Sequence, residues 1–452
     1  MTAIRIRFPG MKHRAAGPIG GLPDSARTAA FVVASLFAVA ASVVAGDASA
    51  QIAVPYYGPQ AFVAALQARA QAPQAQSFAA TAQSLEKSIE ALCASPAGSR
   101  SATAKAAKAA KATDATEDAE DPDEQPGSPR LQAREAWLDA ADAWERLQAV
   151  SVGPTIEQRA ARTLDFRPAR PRSIKRAISS HGRGKLPPDA AALERVGTPA
   201  KGLPALEWLL WDPDAPRTAA ACRYATGLAQ EVHRQASALA EAHSADAKRD
   251  WNEEEEAAAA RAAEAVNQWL AGLEALRWRY LGKPLAILSS KKPQGSGTGS
   301  DASSAPDPND DIWPRPPSAS HRDAWRARWE GLRNVAIGPP PTDGFGPQPA
   351  VPPAVVSLEA MLRGRGRNTD ADAWAKAVMA ADQAMHVLTE GGAAPATSGQ
   401  EIASLPPTTA LLPPAADMQA AVEALDAVKQ FMQETVAPAL SVTLGFSDAD
   451  GD

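Results

Sequence analysis

Two stretches of similar sequence decide the fold of this chain. Residues 144–154 read WERLQAVSVGP and residues 329–339 read WEGLRNVAIGP, with Trp, Glu, Leu, Val, Gly and Pro at identical spacing. A further Trp precedes each stretch, Trp137 seven residues and Trp325 four residues before the repeated Trp. Both spacings place two indole rings on one face of a helix. Each stretch is therefore predicted to be a Trp-anchored helix that is stopped by Gly-Pro.

Apolar residues elsewhere also recur at helical spacing, and no sustained alternation of β-branched residues predicts a strand. We therefore predict an all-α protein made of two similar helical bundles related by internal duplication. The alternative is that the two stretches share only the common preference for Gly and Pro at helix ends. The predicted helices cover 59–71, 77–94, 131–150, 370–389 and 416–436, and another opens at Glu253–Glu256 and closes at Gly282.

Segments poor in apolar residues divide the chain. We expect a signal peptide at 1–50, an N-terminal helical bundle at 51–288, a flexible linker at 289–320 and a C-terminal helical bundle at 321–452. Inside the first bundle, residues 97–130 are expected to be a disordered acidic insertion. They carry seven acids and no base between Ala112 and Pro129, which is typical of a solvated segment.

The N-terminus has the order of residues that is typical of a secretory signal peptide. Basic residues precede the apolar residues 28–46, and Ala48-Ser49-Ala50 follows them. This order predicts cleavage between Ala50 and Gln51 and a soluble periplasmic protein without a later membrane span. The alternative is an uncleaved membrane anchor, since 19 apolar residues nearly suffice to cross a bilayer. The translation start is either Met1 or Met11.

Composition excludes several classes of protein. The 452 residues include 46 basic and 52 acidic side chains, a net charge of −6 that argues against nucleic-acid binding. Two Cys residues are too few for a Cys-based zinc finger or an iron–sulfur site. In an oxidising compartment we expect Cys93 and Cys222 to form a disulfide. The alternative is a pair of buried free thiols.

Four motifs carry a resemblance to a known family. They are the order AW…AWE…VxxGP, LDFRP at 164–168, GLPALEWLLW at 202–211 and CRYA at 222–225. With them the chain resembles the imelysin family, the peptidase M75-like proteins of bacterial periplasms, from about residue 76 to 436. The resemblance implies an all-α fold of two similar bundles and an association with iron-regulated uptake. One branch of the family is described as a metallopeptidase.

The family signature is Gly-x-His-x-x-Glu between the two bundles, and residues 202–207 correspond to it. Gly202 and Glu207 match, but Pro204 stands where the family has His. Pro has no side-chain donor atom and cannot bind a metal, whereas a zinc-peptidase site takes three protein ligands. We therefore expect a binding component associated with iron uptake rather than a catalyst. The alternative is an M75-type metallopeptidase with a degenerate motif, whose missing ligand comes from elsewhere.

Gly202, Glu207 and Glu359 are the candidate remnants of a ligand or metal site. The two carboxylates correspond because ALEWLLW at 205–211 resembles SLEAMLR at 357–363. We expect them to face a groove between the bundles that receives a small ligand or a component of iron uptake. The sequence does not name the cofactor, and iron or another divalent metal is the candidate.

Other notable residues have simpler interpretations. The Trp residues of the repeat are predicted to be core residues, because they recur at helical spacing. The basic stretch from Arg167 to Lys185 is predicted to be a solvated face, with the binding of an acidic ligand as the alternative. Five scattered His residues are predicted at surface or ordinary packing positions: His181, His233, His243, His321 and His386.

Overall fold

A computed structural model describes residues 56–95, 127–290, 313–339, 356–390 and 412–445. These residues form helices joined by turns and contain no β-strand, so the predicted all-α class is confirmed. The expected signal peptide with its cleavage site, and residues 97–126 of the expected acidic insertion, lie outside the described residues.

The helices follow one another along the chain. They are α1 (Pro59–Leu66), α2 (Ala72–Ala94), α3 (Pro129–Gln148), α4 (Pro154–Glu157), α5 (Ala160–Leu164), α6 (Pro171–His181), α7 (Ala190–Glu194), α8 (Gly202–Trp211), α9 (Ala219–Asp246), α10 (Glu255–Glu274), α11 (Lys283–Ser290), α12 (His321–Ile337), α13 (Leu358–Gly364), α14 (Asn368–Glu390), α15 (Ala415–Phe431) and α16 (Ala437–Ala439).

Local sequence explains where α3, the helix that carries the first repeat, begins. The Ser128 hydroxyl accepts a hydrogen bond from the Leu131 N–H, and Pro129 occupies the first turn, where no N–H partner is needed. The two copies of the repeat end differently. Helix α3 stops at Gln148, whereas α12 runs directly to Gly338, whose φ of 86° ends it. Of the two copies, the second therefore ends at the predicted Gly-Pro, whereas the first ends before it.

The buried apolar side chains fall into two cores. The first core is built from α2, α3 and α5–α9 and contains Trp137 and Trp144. The second core is built mainly from α1, α10 and α12–α15 and contains Trp325 and Trp329. These four indole rings are at most 3% exposed, as their helical spacing predicts.

Three π-helical turns interrupt the long helices, at Gln67–Gln71, Ala275–Gly282 and Met432–Val436. The second turn changes an expected boundary. The Lys283 N–H bonds to the Trp278 carbonyl oxygen, five residues back, so the chain continues into α11 instead of ending at Gly282. Hydrogen bonding over five residues brings side chains five apart to nearly the same face. Leu276 and Leu281 are both buried.

Helices α3 and α12 pack directly on each other and join the two cores. Gly331 of α12 makes this approach close. A Cβ atom at residue 331 would lie 2.6 Å from the Arg146 carbonyl oxygen and 2.7 Å from the Ala149 Cβ. Real Cβ atoms do not come that near to a backbone oxygen, so glycine is required at this crossing.

The cores divide the chain differently from the expected domains. Helices α1 and α10 belong to the second core, although both lie within the expected N-terminal bundle at 51–288. Within the expected linker at 289–320, residues 313–320 are described and include the fully buried Arg315. The boundaries of the domains and the internal duplication stay predictions.

A disulfide joins Cys93 at the end of α2 to Cys222 at the start of α9, as predicted from the composition. Its Cα atoms lie 5.4 Å apart, a usual separation for a disulfide. The bond lies beside the first core. Within the described ranges, none of the helices combines the length and the apolar character needed to cross a membrane.

Candidate functional site

Five charged side chains from four segments of the chain meet between the two cores. The carboxylates are Glu145 of α3 and Asp165, which follows α5. The guanidinium groups are Arg167, Arg315 of the segment 313–320, and Arg328 of α12. We call these five residues the charged cluster. Their side chains are between 0% and 13% exposed, so the cluster is almost sealed from water.

Glu145 accepts hydrogen bonds from all three guanidinium groups. Its Oε1 lies 2.8 Å from Arg315 and 3.1 Å from Arg167, and its Oε2 lies 2.9 Å from Arg328. Burial alone would raise the pKa of Glu145, but the three guanidinium groups lower it to about 2. The carboxylate is therefore ionised at neutral pH.

Asp165 is held from two sides. Its Oδ1 accepts from Arg315 at 2.9 Å, and its Oδ2 accepts from Arg315 at 3.1 Å and from Arg167 at 2.8 Å. The indole N–H of Trp144 donates to the same Oδ2 at 3.1 Å. The two bonds from Arg315 form a bidentate pair, the strongest common geometry between Arg and a carboxylate. Trp144 of the repeat thus belongs both to the first core and to the site.

Tyr280 closes the cluster on the side of the second core. The guanidinium carbons of Arg167 and Arg328 lie 5.3 Å and 4.8 Å from the centre of its ring. Arg167 also donates a hydrogen bond to the Tyr280 hydroxyl at 3.1 Å. Cations over an aromatic face are stabilised by the ring quadrupole, most strongly where water is excluded. The π-helical turn Ala275–Gly282 carries this ring.

Glu207 of α8 lies beside the charged cluster and is only 2% exposed. Its Oε1 accepts hydrogen bonds from the Ser318 N–H at 3.1 Å and from the Ser318 hydroxyl at 2.6 Å. Burial raises the pKa of Glu207 to about 7, although the charge of Arg315 and the Ser318 hydrogen bonds oppose this rise. The protonation state of Glu207 therefore changes near neutral pH.

Gly202 and Pro204 set the start of α8. Gly202 has a φ of 69°, and a Cβ atom there would lie 2.2 Å from the Leu164 carbonyl oxygen. Glycine is required because the chain reverses against the end of α5 at this point. Pro204 lies in the first helical turn, where the missing N–H costs nothing, and it faces the same cavity as Glu207.

A cavity of about 510 Å³ opens beside Glu207. Arg167, Glu207 and Tyr280 line it on the side of the charged cluster. Its exposed charged residues are Arg279, Lys283 and Asp214, and the half-buried Asp212 also lines it. Its volume lies within the range of small-molecule sites in proteins. The other walls are mostly aromatic rings and prolines: Trp208, Trp211, Trp313, Pro168, Pro171, Pro204, Pro213, Pro314, Pro316 and Pro317.

The structure places the other candidate carboxylate apart from this cavity. Glu359 lies on α13, where its Oε1 accepts two hydrogen bonds from Arg363, at 2.9 Å and 2.7 Å. It is not among the residues that line the cavity. Glu207 and Glu359 thus occupy similar positions in sequence but are not brought together.

Two of the five His residues in the described ranges are buried. His321 stacks on Trp313 with ring centres 5.1 Å apart, and burial together with Arg315 lowers its pKa to about 3. His243 contacts the Thr155 hydroxyl through its Nε2 at 2.9 Å. Both are packing residues, as the sequence predicts. The remaining three are partly or fully exposed: His181, His233 and His386.

The residues around Glu207 do not fit a metallopeptidase centre. Pro204 offers no donor atom, and the partners of the Glu207 carboxylate are the Ser318 hydroxyl and the charge of Arg315. A cation next to a guanidinium group is disfavoured by repulsion. Across the described ranges, no group of three or more His, Cys, Asp and Glu residues is placed to hold a metal ion.

Sequence reasoning did not identify the charged cluster. Glu145 lies inside the repeat, and Asp165 and Arg167 lie inside LDFRP. Charged residues within such apolar motifs are a sign of buried ion pairs that could have indicated the cluster. Arg167 belongs to the basic stretch that is predicted to be a solvated face, but its side chain is only 13% exposed because it pairs with two buried carboxylates. Arg315 gave no local signal, since its partners lie 150 and 170 residues earlier in the chain.

Comparison with known proteins agrees with this architecture. One solved structure, an imelysin-like protein from Psychrobacter arcticum 273-4, is 14% identical and aligns with a TM-score of 0.56 over 87% of this chain and 100% of that chain. Another, a putative iron-regulated protein A precursor from Parabacteroides distasonis ATCC 8503, is 13% identical and aligns with a TM-score of 0.56 over 84% of this chain and 95% of that chain. At such identities the likeness concerns the fold alone.

No curated protein matches the chain. The sequence pattern of the imelysin family, Peptidase_M75, matches residues 71–434. This range contains α8, the charged cluster and the residues that line the cavity. The chain belongs to the imelysin family.

Proposed function

We propose that this chain is an exported, periplasmic binding protein of the imelysin family that acts in iron uptake and does not cleave peptides. Its ligand occupies the cavity beside Glu207. The observation that carries the proposal is the replacement of the signature His by Pro204, next to a Glu207 and a cavity that are both present. Glu207 keeps the family position, is buried, and faces a cavity of about 510 Å³.

The charges around Glu207 support binding over metal-assisted hydrolysis. A zinc peptidase needs three ligands, a bound water and a general base in one open site. Here the carboxylate of the family signature, Glu207, accepts a hydrogen bond from Ser318 and lies near the charge of Arg315. Guanidinium groups in those positions suit an anionic or hydrogen-bonding ligand.

The role in iron uptake rests on the family and on a relative. One solved relative of the same fold is described as a putative iron-regulated protein A precursor. We expect the amount of this protein in its host to rise when iron is limiting, and deletion of its gene to slow growth only under that limitation. Equal protein levels and equal growth with and without iron would contradict the role.

Catalysis is tested with the purified mature protein. We expect no cleavage of denatured casein above the background, with or without a chelator, and no stoichiometric bound metal by elemental analysis. The metallopeptidase alternative predicts bound metal and cleavage that a chelator abolishes. If Glu207→Gln also abolished that cleavage, our proposal would be overturned.

Export is tested by the intact mass of the protein recovered from the periplasm. We expect a chain that begins at Gln51, from the Ala48-Ser49-Ala50 exit site. A mature chain that retains residues 28–46 would indicate a membrane anchor instead.

A further inference from the structure

We infer that the cavity beside Glu207 binds a flat organic anion, in which a carboxylate is attached to an aromatic ring. The inference rests on the proposed binding function and adds the chemical class of the ligand. It stands on three features of the cavity: its walls, the net charge behind it, and its exposed lining residues.

The walls favour a flat apolar ring. Three indole rings, those of Trp208, Trp211 and Trp313, line the cavity together with seven prolines. Aromatic faces and proline rings offer rigid apolar surface at a small cost in conformational entropy.

The charged cluster behind the cavity is not neutral by itself. Three guanidinium groups face two carboxylates, Glu145 and Asp165, which leaves one positive charge for Glu207 to balance. Burial raises the pKa of Glu207 to about 7, so this third carboxylate is only partly ionised at neutral pH. The neighbouring His321 adds no charge there, since its pKa is lowered to about 3. An anion in the cavity would neutralise the remaining positive charge.

Exposed lining residues extend the positive potential toward solvent. Arg279 and Lys283 are four residues apart, line the cavity and are exposed. Neither forms an ion pair within the described part of the chain. Two acidic lining residues, the half-buried Asp212 and the exposed Asp214, act against them. Exposed charges of this kind mainly steer and select the ligand, while Arg167, the guanidinium group of the charged cluster that lines the cavity, binds it.

The test is a calorimetric titration of the full mature protein with naphthoate and, separately, with naphthamide, its neutral analogue. We expect naphthoate to bind at least tenfold more tightly than naphthamide, which corresponds to about 1.4 kcal/mol. The double variant Arg279→Gln and Lys283→Gln should weaken naphthoate binding about threefold to tenfold and leave naphthamide unchanged. Asp214→Asn should strengthen naphthoate binding.

Lys376→Gln, an exposed charge change on α14 that does not line the cavity, is the matched control and should leave both affinities unchanged. Equal affinity for acid and amide would overturn the inference about the anion while leaving ligand binding in the cavity intact. Absence of binding for both probes would overturn the inference about the whole class. Failure of the proposed function itself would appear elsewhere, as chelator-sensitive cleavage of casein.

Discussion

The two copies of the repeat place the same Glu in opposite environments. Glu145 in the first copy is 1% exposed and accepts from three guanidinium groups. Glu330 in the second copy is 41% exposed, and its one ion pair within the described residues is with Arg146, at 2.6 Å. Each Glu follows a buried Trp on a helix that packs on the other. The repeated residues therefore specify a similar helix but not a similar electrostatic environment.

The difference comes from what each helix faces. Helix α3 faces the segment 313–320 and Arg328, both from the later part of the chain. Trp144 donates to Asp165 inside the cluster, whereas Trp329 donates at 2.8 Å to Asp382, whose side chain is 40% exposed. Of the repeated Trp and Glu residues, those of the first copy thus contribute to the site, while α12 contributes Arg328, which directly precedes the second copy. The repeated residues of the second copy serve packing, whereas those of the first copy serve both packing and buried charge pairing.

The largest expected effect separates the two Glu residues. Glu145→Gln leaves three buried guanidinium groups with one carboxylate, so we expect it to lower the free energy of unfolding by about 3–5 kcal/mol. Glu330→Gln, the matched change in the second copy, removes an exposed pair and should cost less than about 1 kcal/mol. Denaturant unfolding measures both values. Similar costs for the two variants would show that the cluster contributes no special stability.

The pH dependence sharpens the same comparison. Glu145 has its pKa lowered from 4.5 to about 2 in the folded protein. A lowered pKa gives stability that is present above the unfolded value and is lost as the pH falls through the folded value. We therefore expect the stability difference between the parent and Glu145→Gln to be constant from pH 8 to about pH 5 and to shrink by roughly 3 kcal/mol toward pH 2. A difference independent of pH would contradict this assignment.

The disulfide predicts a difference between the two cores. Both Cys residues lie beside the first core, and the second has no Cys. The double variant Cys93→Ser and Cys222→Ser should lower the free energy of unfolding by about 2–4 kcal/mol. Hydrogen exchange followed by mass spectrometry should show more loss of protection in α2 and α9 than in α14 and α15. Equal loss in both cores would mean that the bond acts on the whole molecule.

A smaller effect is expected at the crossing of α3 and α12. Gly331→Ala places a Cβ atom against the Arg146 carbonyl oxygen, so it should cost about 1–3 kcal/mol even though Ala favours helix formation. Arg146→Ala changes the corresponding residue of the first copy, whose side chain is 34% exposed, and should cost less than about 1 kcal/mol. If Gly331→Ala were stabilising, the helices would be able to separate without strain.

Local patterns were sufficient for several of the long helices and for the disulfide. Helical spacing predicted residues 131–150 and 370–389, and the structure has Pro129–Gln148 and Asn368–Glu390. The helices depend on residues that are close in sequence. The disulfide could be predicted because two Cys residues can form only one pair. The apolar stripe and the caps of such a helix lie within a short stretch of sequence, so they can be recognised without knowledge of the tertiary structure.

The site could not be predicted in the same way. The family signature pointed to Glu207, which the structure places at the cavity. The likeness of residues 205–211 to 357–363 pointed to Glu359, which pairs with Arg363 elsewhere. Arg315 stands in a Pro-rich segment that resembles a linker, and its burial depends on carboxylates 150 or more residues away. Nothing near it in sequence indicates those partners. Charge pairing over such distances appears only when the packing of the two cores is known.

The π-helical turn at Ala275–Gly282 sets the direction in which the later side chains of this helix point around its axis. An α-helix turns about 100° per residue, so removing one residue between Leu276 and Leu281 would restore ordinary hydrogen bonding but rotate the later side chains by that angle. Tyr280 would then leave Arg167 and Arg328, and Lys283 would leave the cavity. The length of this segment is thus constrained for a reason that substitutions do not reveal: we expect a change in the number of its residues to disturb the site more than the exchange of one of them.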